Sequence, residues 1–176
     1  MRWLGAIAGL ALAFTFMPPP VSAQPTATSS SGWRTAASAA LAFGHAEGKA
    51  AALMLVAIPT APASQYAVKV ALERLDRAAT DARASYAAVE LYGSPYWTVA
   101  AEVRVGDMFA CQAERTLAIF RARRAPPIPA AIAEALAGLA DPIRNRAIVH
   151  WDLAAAVARR SGIPDHWFVL LSRPGC

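Results

Sequence analysis

From Val68 to Val89 the apolar side chains recur at alternating steps of four and three residues: Val68, Leu72, Leu75, Ala79, Ala82, Tyr86 and Val89. Such steps place every member on one stripe of a helix, because a turn takes 3.6 residues. Arg74, Asp76, Arg77, Asp81 and Arg83 fall off the stripe, and Gly93 follows as a C-terminal stop. Ser94-Pro95 then restarts the chain with a good N-cap and a proline at the first helical position. Tyr96, Val99, Val103, Gly106, Ala110, Ala113, Leu117 and Phe120 repeat the same spacing. Two long amphipathic helices joined by a tight turn fold back as an antiparallel hairpin, so the two stripes are expected to zip together. Ala79 and Ala82 on one stripe, and Gly106, Ala110 and Ala113 on the other, would let the backbones approach closely. That accounts for a glycine that otherwise costs ~1 kcal/mol inside a helix. No alternating run of useful length occurs, which argues against strands.

The rest of the chain reads as further helix. Trp33 to Ile58 is Ala-rich, with Leu41, Phe43, Leu53, Leu55 and Val56 as larger apolar residues. Gly44 and Gly48 leave two short helices or one kinked helix equally open. Pro59 and Pro62 interrupt it. Arg121 to Pro129 is a basic, proline-rich connector, followed by a short helix from Ala130 to Leu139. Asp141-Pro142 is expected to cap and open another helix that ends at Arg159-Arg160 with Gly162 just past it. The tail through Trp167, Phe168, Leu170 and Leu171 is expected to pack back on the bundle. The fold class is therefore all-α: antiparallel helical hairpins forming a bundle.

The N-terminus bears on compartment. Met1-Arg2 gives a positive start, Trp3 to Met17 is uncharged, and Val21-Ser22-Ala23 offers small residues before Gln24. This is the order of a secretory signal peptide cleaved near Ala23. The apolar run falls short of the ~20 residues that span a bilayer as a helix, although an uncleaved anchor is the competing reading. The expected organisation is a signal peptide over 1–23, a flexible Ser/Thr/Pro leader over 24–32 and one helical domain over 33–176, working in the periplasm or outside the cell. The formal charge of +5 would suggest nucleic acid in a cytoplasmic protein. Export points instead to envelope proteins and anionic membrane surfaces. Cys111 and Cys176 are the two cysteines, and in an oxidising compartment such a pair reads as a disulfide worth about 4 kcal/mol. Free thiols or pairing between chains are the alternatives.

Catalytic signatures are not found. His45, His150 and His166 sit in no metal-ligand spacing, and there is no CxxC, GxSxG or Gly-rich phosphate loop. His150 and Asp152 point to different faces of a helix. Glu102, Asp107 and Glu114, with Arg104 and Arg115 nearby, read as a solvated, charge-balanced face. No enzyme activity, cofactor or metal is expected. Two features qualify as protein-binding surface. Arg121, Arg123 and Arg124 form the densest positive cluster, either a solvated connector or a dock for acidic partners. Tyr96, Trp97 and Trp167 belong to an aromatic set at helix ends, either core or interface anchors. The expected role is an exported protein-interaction or scaffold module, with a small-ligand or lipid carrier as the alternative.

Val105-Gly106-x-x-Phe109 and Ala147-x-x-x-Trp151-x-x-Ala154 resemble the first- and second-helix signatures of tetratricopeptide repeats, although the distance between them does not suit one 34-residue repeat. A closer resemblance is to the long-helix, repeat-like C-terminal region of tetratricopeptide proteins in myxobacterial-type cell envelopes. It runs from Tyr66 to Trp167 through Trp97–Phe109, Pro127-Ile128-Pro129 and Pro142-Ile143. The resemblance implies a TPR-like helical interaction module of the envelope with no catalytic role.

Overall fold

The computed structural model describes residues 30–124 and 127–164. Within them the chain forms four helices and no strand: α1 (Ser30–Met54), α2 (Gln65–Glu90), α3 (Pro95–Ala122) and α4 (Ala130–Ser161). The signal peptide expected over 1–23 and the tail with Trp167 and Cys176 lie outside the described residues. Helix α1 begins at Ser30, inside the stretch expected to be leader.

The long periodic segments became helices where their spacing placed them. Ser64 caps α2, its hydroxyl accepting from the Ala67 N–H at 3.1 Å. Ser94 occupies the N-cap of α3 ahead of Pro95 but makes no side-chain capping bond. Gly93 (φ 64°) and Gly162 (φ 65°) take the left-handed conformation that ends a helix and that residues with a Cβ rarely adopt. Arg159 and Arg160 lie in the last turn of α4, where cations oppose the helix dipole favourably.

In one segment the structure chooses between the alternatives, and in another it differs from expectation. Residues 30–54 form one helix, and its buried stripe is Ala39, Phe43, Ala46 and Leu53, while Leu41 and Leu55 face solvent. Gly44 and Gly48 lie on the exposed side with open space above them, so they cost helix propensity without breaking the packing. Helix α4 continues through Pro142 instead of restarting there. Proline removes one backbone bond, to residue 138, which is a glycine in open space. Leu136, Ala140 and Ile143 press on Ala113 and Leu117 on both sides of it, and that packing holds the helix together.

The helices run up and down in chain order. Glu47, Met54 and Val56 meet Arg104, Cys111 and Arg115 in that order, so α1 is parallel to α3. Val99 and Val103 pack on Ala154 and Ala158 while Leu117 packs near Ala140, so α4 is antiparallel to α3. Helix α3 is central and is buried on most of its circumference. Its most extensive interface is with α4, followed by α1 with α2 and α2 with α3.

That order corrects the expected mating of stripes. The α2 stripe is buried as expected, from Val68 to Val89. Its partners, however, are α1 and a second face of α3 carrying Ala101, Val105 and Met108. The α3 stripe through Val99, Val103, Ala113 and Leu117 meets α4. Gly106 is essential there: a Cβ at this position would collide with the indole ring of Trp151.

Candidate functional site

Two polar networks cross the bundle, and they differ in kind. The first is closed. Glu47 on α1 receives the Tyr86 hydroxyl at 2.5 Å and a fork from Arg104, Nε to Oε1 at 2.7 Å and Nη2 to Oε2 at 2.8 Å. Arg104 also donates to Asp107 at 3.2 Å, and Trp151 Nε1 donates to the other Asp107 oxygen at 3.2 Å. All four helices contribute a member. Burial and the Glu47 carboxylate push the Tyr86 phenol well above its ordinary range, and the hydrogen bond to Glu47 holds the Arg104 guanidinium charged. Every group is paired with another, so this network fixes the register of the four helices.

The second network opens on a cleft between α2 and α4, floored by α3. Asp76, Thr80, Arg83 and Glu90 share one face of α2, at steps of four, three and seven residues. Arg146 and His150 face them from α4, with the exposed apolar side chains of Leu139 and Leu153 on the same side of that helix. At one end, Glu102 rises from α3 with only 5% of its surface exposed, and its Oε2 lies 2.6 Å from His150 Nδ1. The Glu90 pKa is pushed up to about 7 by burial first, then by the neighbouring Glu102 carboxyl through hydrogen bonding and charge. Burial lowers the His150 pKa, the Arg83 charge lowers it further, and the Glu90 charge opposes both. The His150 ring stacks on Phe109 at 5.4 Å, and the Arg146 guanidinium stands 6.0 Å from the centre of the same ring.

Farther along, the cleft holds a pocket of about 170 Å³, lined by Asp76, Thr80, Arg83, Phe109, Gln112 and Arg146, among others. Arg83 and Arg146 make no ion pair or side-chain hydrogen bond among the described residues. No group of three His, Cys, Asp or Glu side chains among the described residues is arranged to hold a metal.

The sequence-based candidates are placed differently. Trp97 is half-buried and packs on Phe43 at 5.2 Å, with Tyr96 edge-on to it at 5.2 Å. Burial raises the Tyr96 phenol. Both belong to the α1–α3 core more than to an open surface. Arg121, Arg123 and Arg124 are exposed at the far end of α3, some ~36 Å from Trp97 at 1.5 Å per residue, so the two groups form no common patch. Cys111 lies on the α1 side of α3, its Sγ 3.2 Å from Met54 Sδ. The expected solvated face of carboxylates holds for Glu114, which pairs with Arg144 at 3.0 Å in the open. It fails for Glu102 and Asp107, which turn toward neighbouring helices. The sequence shows only a row of polar residues, Asp76, Thr80, Arg83 and Glu90, flanking the α2 stripe, and such a row reads as ordinary solvated helix surface until α4 stands opposite it. No family model, curated protein or solved structure matches this chain.

Proposed function

We propose that this chain is an exported, non-catalytic helical binding module of the periplasm or cell envelope, and that it engages its partner through the α2–α4 cleft. The N-terminal order of charge, apolar run and small residues supports the compartment. One observation supports the surface: two arginines without an ion pair among the described residues stand in a cleft beside exposed apolar side chains at 139 and 153. Charge flanked by apolar surface is the usual make-up of a recognition groove. The partner in this reading is an envelope protein, with no cofactor and no nucleic acid. The resemblance to TPR-like envelope modules belongs to the same reading. So does a Cys111–Cys176 disulfide, which would fasten the tail to the α1 side of α3, away from the cleft, and would shift mobility on a gel when reduced.

The test is photo-crosslinking in intact cells, with a photoreactive residue at Thr80 or Leu153 in the cleft and at Arg123 as the distant control. Adducts to one envelope protein from the two cleft sites are expected. Adducts from Arg123 alone, or to cytoplasmic proteins, would refute the reading. A small-ligand carrier is the second reading, and the pocket beside Gln112 favours it.

A further inference from the structure

We infer that the pocket between α2 and α4 binds a small monocarboxylic acid about the size of benzoate. The inference rests on the cleft being the working surface, and it names the chemistry recognised there. Three observations converge. Arg83 and Arg146 project into the pocket from opposite helices, and neither is neutralised by an ion pair among the described residues. Guanidinium groups present planar forks that match a carboxylate. Gln112 also lines the pocket; its side chain is only 8% exposed and has no hydrogen-bond partner among the described residues. Its carboxamide opens onto the pocket, so a ligand oxygen there can take the place of solvent as its partner.

Charge selects among anions. The pocket walls carry two guanidiniums and the Asp76 carboxylate, a balance that suits one negative charge. Glu90 and Glu102 stand farther along the same cleft and disfavour a dianion such as a phosphate monoester. Size narrows the choice further. The volume of about 170 Å³ is close to that of an engineered cavity in another protein, ~150 Å³, that admits benzene. Phe109 and Ala79 are the apolar residues of its wall, each only 4% exposed.

The experiment is an NMR titration of the purified full chain with sodium benzoate, following the Gln112 side-chain amide and the backbone amides of Thr80 and Arg83. For nine heavy atoms in an open pocket, Kd on the order of 1 mM is expected. Arg83→Gln and Arg146→Gln should each weaken binding about tenfold, the usual scale for one charge-assisted contact. Both side chains belong to exposed residues, so far-UV circular dichroism of the variants should match the parent. Benzylamine should leave the Gln112 signals in place. No Gln112 shift with benzoate, an unchanged Kd in both variants, or stronger binding of inorganic phosphate would each overturn the inference. Envelope adducts from Thr80 with no benzoate binding would sink this inference alone; benzoate binding with no adducts would sink only the protein-partner reading.

Discussion

Replacing Glu90 with glutamine isolates the proton held between α2 and α3. In the folded chain Glu90 loses its proton near pH 7, against 4.5 for an ordinary glutamate, because it is partly desolvated and faces the Glu102 carboxylate. A raised acid binds its proton more tightly folded than unfolded, so its contribution is fully present below pH 4.5 and is lost as pH rises through about 7. The full shift would correspond to a ceiling of about 3 kcal/mol. Most of the Glu90 surface faces water, and screening there brings the expected effect down to about 1 kcal/mol. Glutamine mimics the protonated acid at every pH and can still donate to Glu102. The variant should therefore match the parent at pH 4.5 and exceed it by about 1 kcal/mol at pH 8, or about 2–4 °C in Tm for a domain of this size. Urea unfolding at half-unit steps of pH measures the difference directly. A gap between variant and parent that stays constant from pH 4.5 to 8 would refute the shared-proton account.

Three more outcomes follow from the packing. Gly106→Ala should destabilise by about 1–3 kcal/mol despite the better helix propensity of alanine, because its Cβ meets the Trp151 ring, and Trp151→Ala should remove that penalty in the double variant. Arg104→Met should cost about 3 kcal/mol in chemical denaturation by leaving Glu47 half-buried with one partner fewer, and Arg104→Met with Glu47→Leu should recover most of it. Trp97→Ala should lower the thermal midpoint by removing the ring packed at a tilt on Phe43, a loss of about 2–4 kcal/mol, whereas Arg123→Glu should leave it within error.

The class of fold was legible in the sequence because helix formation depends on short-range facts. Stripes at steps of three and four, Ser64 and Ser94 ahead of helices, and Gly93 and Gly162 past their ends are all read within a few residues. The Val68–Val89 stripe even named its own buried side correctly. Pairing between helices was not legible. Helix α3 has one strong stripe but is buried nearly all round, so its periodicity could not say that α4 would take the stripe while α1 and α2 took the remaining faces. Pro142 likewise signals a break locally, and only packing against Ala113 and Leu117 keeps α4 continuous.

The cleft belongs wholly to tertiary structure. Glu90, Glu102 and His150 lie on three helices, far apart in the chain, and each looks like a solvated polar residue by itself. Side-chain chemistry was available from the sequence, but proximity and desolvation were not. Those two quantities turn a glutamate into an acid titrating near 7 and leave two arginines facing an open pocket. Helices are written locally because their hydrogen bonds close within four residues; this site arises because packing sets three helix faces against one another.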